Sequence, residues 1–391
     1  LGCLAAPHVL LTGGPGVGKT TIVRLVAELA EQAGLSLVLA SPTGRAAKRL
    51  SEATGRPAST IHRLLGFDPK AHRFLHDDQN PLAAELVIVD EISMLDVILA
   101  HHLVKAIQPP ARLVFVGDPD QLPSVSAGNV LADLLRSAKV PVFRLSQVFR
   151  QDAASLIVAN AHRILRGEEP RALGRDDPVG DFYLFPVESD EQAAERTLEV
   201  VTERIPRRFG LAWESDVQVL APMYRGACGV DALNERLRAA LGSTGSELRW
   251  KDRIWRVGDR VIQTRNDYEK QVFNGDMGRI VRVDTEKLAV TVRFPERELV
   301  YGPDSLGDLA CAFAITVHRS QGGEFPAVVL PLVTQHYPML QRNLLYTAVT
   351  RAKRLVVLVC QPRALQRAVQ NAEQSERESG LAERLRRLLE N

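Results

Sequence analysis

The chain has 391 residues, of which 45% are hydrophobic and 25% are charged, and its formal net charge is +2. This length exceeds what one hydrophobic core usually serves, and the composition is that of a folded protein, so we expect two or more domains. A charge so close to balance excludes a global positive field, and any nucleic-acid binding must come from local grooves.

The first predicted elements are a strand, a glycine-rich loop and a helix. Residues 13–21 follow the apolar run 9–11 and fit the pattern Gly, four residues, Gly-Lys-Ser/Thr. Glycines in such a loop let backbone amides turn toward a phosphate chain, the lysine reaches β and γ oxygens, and the hydroxyl holds Mg²⁺. Apolar residues recur at helical spacing from Ile22 to Leu29, so the loop opens a helix whose positive end faces the anion.

We therefore predict a nucleotide site, against the alternative of a turn that only joins a strand to a helix. Thr20 is also the predicted Mg²⁺ ligand of this loop. The residues predicted to hold the phosphates are Gly13, Gly14, Pro15, Gly16, Val17, Gly18, Lys19, Thr20 and Thr21.

Further buried strands are predicted downstream, because apolar runs without alternation, separated by helical stretches, indicate a parallel sheet covered on both faces. The runs are residues 35–40, 86–89, 113–116 and 140–143. Ligands of such sheets sit at the carboxyl ends of the strands. Residues 66–82 are polar and turn-rich, which predicts a protruding hairpin or loop inserted into this domain.

Acidic and amide side chains follow two of these strands. Asp90 and Glu91 come after the run 86–89, where Asp90 can bind Mg²⁺ and Glu91 can polarise the attacking water. Most acidic pairs at strand ends are solvated caps, but the preceding phosphate loop favours the hydrolytic interpretation. Gln121 lies after the run 113–116 and suits a γ-phosphate sensor or a water-orienting group, although its segment could be only a proline-bounded turn.

Two arginines complete the predicted hydrolytic site. Arg150 lies where the first sheet ends, and Arg351 lies in a second predicted sheet. A guanidinium offered from another domain stabilises charge on a transferring phosphoryl group and is worth roughly 10³ to 10⁵ in rate. Each arginine taken singly could instead form a surface salt bridge, which contributes only about 0 to 1 kcal/mol.

The second half of the chain predicts another parallel sheet with a different unit inserted in it. Its buried runs are residues 217–220, 312–315, 327–330 and 355–359. Residues 253–301 alternate between apolar and polar side chains and contain turns, which predicts a small antiparallel barrel. The charged tail from Ser375 predicts an amphipathic helix packed on its own domain, with docking to a partner as the alternative.

The composition also indicates the cellular compartment in which the protein is expected to act. No apolar run approaches about 18 residues and no secretion signal is present, so we expect neither a membrane span nor export. The four cysteines are far apart and lack metal-type spacing, which suits a reducing cytoplasm. The chain begins at Leu1, close before the phosphate loop, so we expect the core of a longer protein.

Taken in order, these motifs resemble those of superfamily 1 helicases over nearly the entire chain. The matching segments are residues 13–21, 41–47, 90–94, 117–123, 149–151, 316–324 and 346–353. Within that superfamily, residues 258–263, 266–268 and 272–278 resemble the RecD-like branch, the 1B group, which moves 5′ to 3′ on single-stranded DNA.

The resemblance implies an α/β fold with two RecA-like parallel-sheet domains, ATP between them and DNA across their top. The predicted domains are 1A at 1–148, with a strand-separating hairpin, 1B, at about 63–82; 2A at 149–248 and 304–391; and an SH3-like 2B at 249–303. By position, Glu324 would contact the ribose. The residues implied to line the DNA path are Pro42, Thr43, Gly44, Arg45, Thr60, His62, Asn266, Asn274, Thr316, His318 and Ser320.

Two departures and one alternative accompany the resemblance. No aromatic residue follows Gln121 and aromatic residues make up only 5% of the chain, which favours contacts to DNA phosphates over base stacking. An adenine-reading glutamine is not evident in residues 1–12, so selectivity for ATP is open. His62 and His318 could be packed histidines rather than DNA contacts.

The prediction is an ATP-dependent DNA helicase that uses ATP and Mg²⁺ and acts in the cytoplasm on single-stranded DNA and duplex junctions. We expect a monomer in DNA repair or recombination, and partners in a nuclease or repair complex are open. One alternative is a phosphotransferase acting on a small molecule, which would ignore DNA. Another is a nucleotide-switch subunit of a larger complex, which could dispense with Glu91 and both arginines.

Overall fold

A computed structural model of the chain describes residues 6–147, 155–172, 180–241, 245–267, 269–372 and 379–388. The chain forms two compact units, residues 1–153 with 374–391, and residues 154–373. Within the described ranges, no helix is both long enough and apolar enough to cross a membrane. The domain boundaries given above stay predictions, except at the tail of the chain, which is treated last.

The first unit contains a six-stranded sheet with the order β3-β2-β6-β7-β1-β8, and every pairing in it is parallel. The strands of this unit are β1 His8–Gly13, β2 Leu37–Ser41, β3 Ala58–Thr60, β4 Phe67–Asp68, β5 Arg73–Phe74, β6 Leu86–Val89, β7 Arg112–Gly117 and β8 Val142–Leu145. All four residues of β6 are buried, as expected for a strand covered on both faces. The α/β parallel-sheet prediction is confirmed for this unit.

Helices cover both faces of this sheet. They are α1 Lys19–Gln32, α2 Gly44–Thr54, α3 Ile61–Leu64, α4 Val97–Lys105 and α5 Val130–Ser137. Because side chains alternate along a strand, β1 sends Val9 and Leu11 into the core shared with α1, and Leu10 into the core shared with α4 and α5. The two cores pack against opposite faces of the sheet, and the predicted nucleotide residues lie at its carboxyl edge.

The predicted insertion is a short antiparallel hairpin made of β4 and β5. Gly66 precedes it with a φ of 66°, and a Cβ there would lie 2.8 Å from the Cβ of Leu75. The hairpin therefore needs glycine at this turn for two reasons, the left-handed backbone and the close approach of Leu75. The segment after the hairpin is hydrogen-bonded to the chain that follows α4, since Gln108 Nε2 donates to the carbonyl of Asp78 at 2.7 Å.

The second unit has a five-stranded parallel sheet with the order β18-β10-β19-β20-β9, and a separate antiparallel part. Its strands are β9 Phe182–Pro186, β10 Val217–Ala221, β11 Glu247–Trp250, β12 Arg253–Arg256, β13 Arg260–Gln263, β14 Met277–Asp284, β15 Ala289–Arg293, β16 Glu298–Tyr301, β17 Leu309–Cys311, β18 Ala314–Thr316, β19 Phe325–Leu332 and β20 Ala352–Cys360. The edge strand β9 was not predicted. The second parallel sheet is confirmed.

Helices of the second unit pack on this sheet. They are α6 Leu156–Leu165, α7 Asp190–Glu199, α8 Ile205–Phe209, α9 Val230–Leu241, α10 Arg342–Thr350 and α11 Pro362–Gln370. A π-helical turn at Val200–Arg204 joins α7 to α8 without a break in the chain's helical path.

The inserted antiparallel part consists of the β11-β12 pair and the sheet β16-β15-β14-β13-β17. It encloses its own core around Trp255 and Tyr301, and the hydroxyl of Tyr301 donates to Gln263 Oε1 at 2.9 Å. Arg260 at the start of β13 reaches the parallel sheet, where its Nη1 donates to the carbonyl of Val217 at 2.7 Å. The predicted small inserted unit is therefore present and anchored to the second sheet.

The tail of the chain departs from its prediction. Helix α12, Leu381–Leu388, packs against α5 and belongs to the first unit, whereas the sequence placed residues 304–391 in the second domain. Ser379 Oγ hydrogen-bonds to the buried carboxylate of Asp133, and Leu381 joins the apolar core beside α4 and α5. Amphipathicity predicted a packed helix correctly, but it carries no information about which apolar surface the helix meets.

Candidate active site

Three glycines of the loop between β1 and α1 cannot be replaced by larger residues without strain. Gly16 and Gly18 have φ values of 72° and 83°, which lie in the left-handed region that favours glycine. A Cβ on Gly13 would lie 2.6 Å from Val17 Cγ2 and 2.8 Å from the carbonyl oxygen of Leu145. The loop backbone can therefore approach a ligand without a side chain in between.

The loop also presents positive groups to an anion. Helix α1 starts after Gly18 with no side chain capping its first amides and no acidic residue in its first turn. Such a helix end carries partial positive charge and attracts phosphate. Lys19 Nζ donates to the carbonyls of Gly13 at 2.7 Å and Gly14 at 2.8 Å, so the ammonium lies over the loop. The positive end of α1 and the ammonium of Lys19 are suited to binding the phosphates of the predicted nucleotide.

The carboxylates Asp90 and Glu91 lie near this lysine. Burial, and then the negative charge of Glu91, raise the pKa of Asp90, while Lys19 and Arg49 oppose the rise. Asp90 Oδ1 accepts a hydrogen bond from the amide of Glu91 at 2.8 Å. Glu91 has a φ of 56°, a left-handed conformation that costs a residue with a Cβ roughly 1–2 kcal/mol. A pair of half-buried carboxylates beside a lysine, one of them on a strained backbone, is typical of a catalytic site.

Arg49 was not among the residues singled out from the sequence. Its Nη1 lies 4.0 Å from Glu91 Oε1, so it adds a positive charge beside the carboxylates. Arg49 lies within helix α2, well before Glu91 in the sequence, and its side chain reaches the carboxylate of Glu91. No sequence pattern marks such a long-range contact.

Gln121 has a buried amide with one atom unsatisfied. Its Nε2 donates to Asp118 Oδ2 at 3.3 Å, while its Oε1 is buried and has no hydrogen-bond partner among the described residues. A buried acceptor left unpaired costs about 1–3 kcal/mol, so such atoms often mark ligand sites. The segment that carries Gln121 packs against the segment that follows Asp90 and Glu91, because a Cβ on Gly117 would lie 2.9 Å from Ile92 Cγ1.

Of the two predicted arginines, Arg150 lies outside the described residues, and Arg351 is buried in the second unit. Arg351 is only 3% exposed, and its Nη1 and Nε donate to the carbonyls of Gly323 at 3.2 Å and Thr347 at 3.3 Å. The alternative of a surface salt bridge is therefore wrong for Arg351. Glu324, the predicted ribose contact, lies next to Gly323, and its Oε2 is 3.3 Å from Lys353 Nζ.

In the first unit, the predicted DNA contacts gather where β2 and β3 end. Thr43 Oγ1 accepts from the amide of Ala46 at 3.3 Å and caps α2. Pro42 precedes this cap, and Gly44 and Arg45 are the first two residues of α2. Thr60 Oγ1 caps α3 by accepting from the amide of Arg63 at 3.1 Å. Because β2 and β3 are parallel neighbours, both caps lie at one edge of the sheet. Their contact with DNA stays a prediction.

His62 packs against the hairpin. Its ring centroid lies 5.6 Å from that of Phe67 and 5.9 Å from that of Phe74. The ring of Phe74 in turn lies 4.6 Å from that of His102 on α4. Burial lowers the pKa of His62, so the imidazole is neutral at physiological pH. These contacts support the alternative of a packed histidine.

In the second unit, Ser320 requires a correction. Its side chain is fully buried and its hydroxyl donates to the carbonyl of Val317 at 2.7 Å, so it is not placed to contact DNA. Thr316 Oγ1 accepts from the amide of Arg319 at 3.2 Å, and His318 is half-buried in the same turn. The other two predicted contacts lie together in the inserted part, where the amide of Asn274 donates to Asn266 Oδ1 at 2.9 Å.

Three family models match the chain. They are an AAA domain at residues 2–127, an ATP-dependent RecD-like DNA helicase SH3 domain at residues 233–294, and a UvrD-like helicase C-terminal domain at residues 311–359. The last two matches overlap the inserted antiparallel part and the second parallel sheet.

Curated relatives extend this similarity. The chain is 41% identical over 345 residues to the ATP-dependent RecD2 DNA helicase of Deinococcus radiodurans, which covers 88% of this chain and 46% of the relative. It is 36% identical over 414 residues to the RecBCD enzyme subunit RecD of Mycolicibacterium smegmatis, which covers 96% of this chain and 72% of that subunit. The chain thus spans about half the length of the first relative and nearly three quarters of the second.

Solved structures share the fold. A Bacteroides Pif1 helicase in complex with ADP-AlF3 and ssDNA matches with a TM-score of 0.56 and 19% identity, covering 95% of this chain and 92% of that one. The Pif1 helicase of Candida albicans matches with a TM-score of 0.55 and 16% identity, covering 99% and 96% of the two chains. At these identities the likeness concerns the architecture alone.

Proposed function

The chain belongs to the RecD-like family of superfamily 1 DNA helicases, and we propose on this basis that it is an ATP-driven motor on single-stranded DNA. In this proposal it moves 5′ to 3′ and separates the duplex ahead of it. The observation that carries the proposal is the group of Lys19, Asp90 and Glu91 near a loop in which Gly13 has no room for a Cβ.

The nucleotide would be held by the loop amides at the start of α1, with Lys19 donating to the β- and γ-phosphates instead of to the loop carbonyls. Thr20 and Asp90 would hold Mg²⁺, which neutralises charge on the phosphate oxygens when bound. Burial disfavours the charged form of Asp90, and a bound cation would stabilise that charged form. The burial of Asp90 is therefore consistent with its proposed role as an Mg²⁺ ligand.

Hydrolysis would use groups that this chain supplies around the γ-phosphate. Glu91 accepts a hydrogen bond from the attacking water and takes its proton as the bond to the β-phosphate oxygen breaks. The carboxamide of Gln121 offers its unpaired Oε1 to the same water. Arg150 and Arg351 stabilise the negative charge that develops on the transferring phosphoryl group.

The proposed DNA contacts are the capping segments at Thr43 and Thr60, the turn at Thr316 and His318, and the Asn266–Asn274 loop. Backbone amides and hydroxyls in such segments contact phosphates without reading sequence. The partners proposed are single-stranded DNA and duplex junctions, and the chain would act on them as a monomer in the cytoplasm, in repair or recombination.

The first test is the ATPase rate with and without a single-stranded oligonucleotide, measured over a salt series. We expect strong stimulation by the oligonucleotide, and a stimulation that weakens as salt rises because phosphate contacts release counterions. Turnover that ignores DNA and needs a small acceptor molecule would instead identify a phosphotransferase. Unwinding of duplexes tailed on one end or the other tests the direction of travel.

His62 provides a prediction about the hairpin. His62→Ala removes two ring contacts, worth about 1–3 kcal/mol together, and should loosen the hairpin. We expect duplex unwinding to fall several-fold while DNA-stimulated ATP hydrolysis persists, as measured with a forked duplex and a single-stranded oligonucleotide.

The matched control for this prediction is His62→Phe, which keeps the ring contacts with Phe67 and Phe74 but removes the imidazole nitrogens. Unwinding should then stay close to that of the unmodified chain. If both variants lose affinity for single-stranded DNA equally, His62 contacts DNA directly, as the sequence prediction had it.

A further inference from the structure

The second unit carries an exposed tyrosine stacked on an arginine. Tyr337 lies in the 3₁₀ turn Thr334–Met339, which follows β19, and its side chain is 59% exposed. The guanidinium carbon of Arg367, on α11, lies 3.6 Å from the centre of the tyrosine ring. One face of the ring is therefore supported by a cation, and much of the ring is open to solvent.

A second pair of the same kind lies nearby. Tyr224 follows β10 and is 44% exposed, and the guanidinium carbon of Arg319 lies 5.8 Å from its ring centre. In the described part of the second unit, the other aromatic residues are buried or half-buried. Among the residues that the structure describes in this unit, the exposed aromatic ones are thus the two that follow neighbouring strands.

The two tyrosine segments are in contact. A Cβ on Gly226, two residues after Tyr224, would lie 2.0 Å from Gln335 Oε1, two residues before Tyr337. Strands β10 and β19 are parallel neighbours, so the segments that follow them leave the same edge of the sheet. On the other side of β10, Ala221 pairs with Thr316, which places the predicted DNA contacts at this edge as well.

Positive charge without acidic partners accompanies these rings. Arg319 and Arg367 contact the tyrosines, while Arg225 and Arg363 are exposed beside them in the chain. None of these four arginines lies within 4.0 Å of a carboxylate of the described residues, unlike Arg204, which pairs with Glu199 at 2.6 Å. Cations that have no carboxylate partner among the described residues can contact phosphates.

The turn that carries Tyr337 is anchored by a buried histidine next to the tyrosine. The neighbouring His336 is fully buried, and its Nδ1 accepts from the amide of Val333 at 3.3 Å. Burial lowers the pKa of His336 to about 4, so the ring stays neutral and packed at physiological pH. The turn that presents the tyrosine is therefore anchored in the protein interior, and such an anchor lowers the entropy lost when a ligand binds.

We propose that Tyr337 and Tyr224, each supported by its arginine, form a surface on which bases of single-stranded DNA stack. The inference rests on the proposed function and adds a contact type that the low aromatic content argued against. Bases stack on aromatic rings regardless of sequence, and an arginine beneath the ring adds a cation–π contribution. The four arginines lie where they can meet the phosphates between the stacked bases.

The test compares two oligonucleotides of equal length and charge, one with normal bases and one with abasic sites throughout. Tyr337→Ala should weaken binding of the normal oligonucleotide by about 5- to 150-fold and leave binding of the abasic one nearly unchanged. Tyr337→Phe keeps the ring and should bind both as the unmodified chain does. The slope of affinity against salt should not change in either variant, because neither removes a charge.

Tyr183→Ala is the matched control, since Tyr183 on β9 also has an arginine, Arg208, 5.6 Å from its ring centre. Its removal should leave affinity for both oligonucleotides unchanged. Equal affinity of Tyr337→Ala and the unmodified chain for the normal oligonucleotide overturns the stacking surface, and so does an equal loss on both oligonucleotides. DNA-stimulated ATP hydrolysis by the unmodified chain tests the proposed function separately, and it can hold when stacking fails.

Discussion

Replacing Lys19 by alanine is expected to abolish DNA-stimulated ATP hydrolysis. Lys19 is the cation of the glycine loop, and its Nζ already lies over the carbonyls of Gly13 and Gly14. It is the only charged residue among residues 13–21, so its loss leaves no side-chain charge in the loop to balance that of bound phosphates. Removing one such electrostatic group from an active site typically costs about 10²–10³ in rate, and the charge of Lys19 also supports binding.

The measurement is the rate of phosphate release with saturating single-stranded DNA, together with nucleotide affinity. Lys287→Ala is a suitable control, because Lys287 is an exposed lysine of the inserted antiparallel part. It removes the same charge from the chain and should leave the rate unchanged. Normal DNA-stimulated hydrolysis in Lys19→Ala would overturn the assignment of the glycine loop as the nucleotide site.

The parts of the fold that the sequence predicts well are those with strong local signals. Strand β6 is a run of four apolar residues, and α1 follows a glycine loop, so each is recognisable from its own residues alone. Strand β3 has only three residues, Ala58 to Thr60, and lies at the edge of its sheet. Such a strand is defined by its partner β2 rather than by its own composition, and no local pattern reveals it.

Within the candidate site, too, some residues can be predicted from the sequence and others cannot. Asp90 and Gln121 follow buried parallel strands, and strand order alone brings the ends of such strands to one edge. The burial of Ser320 depends instead on the direction of a single 3₁₀ turn, which a motif does not encode. His62 likewise sits in a segment expected at the DNA path, yet its ring turns toward the aromatic side chains of the hairpin. Motif position predicts the neighbourhood of a residue, and side-chain direction decides its role.

Replacing Arg351 by alanine is expected to remove ATP hydrolysis and to leave ATP binding nearly intact. In the proposed hydrolysis its guanidinium stabilises charge that develops only as the γ-phosphoryl group transfers, so the loss should appear in the rate and not in the affinity. A guanidinium in this role is worth roughly 10³ to 10⁵ in rate. The measurements are single-turnover hydrolysis and binding of a non-hydrolysable nucleotide.

A structural role for Arg351 predicts a different set of results. The side chain is buried and donates to the carbonyls of Gly323 and Thr347, so alanine could also weaken the segment that leads to Glu324. Arg351→Lys separates the two, because lysine keeps the charge but loses the planar fork of donors. A phosphoryl-stabilising role predicts slow hydrolysis in both variants with an unchanged nucleotide affinity. Loss of nucleotide affinity, or a variant that is unfolded at the assay temperature, would show that Arg351 has a structural role in the second unit.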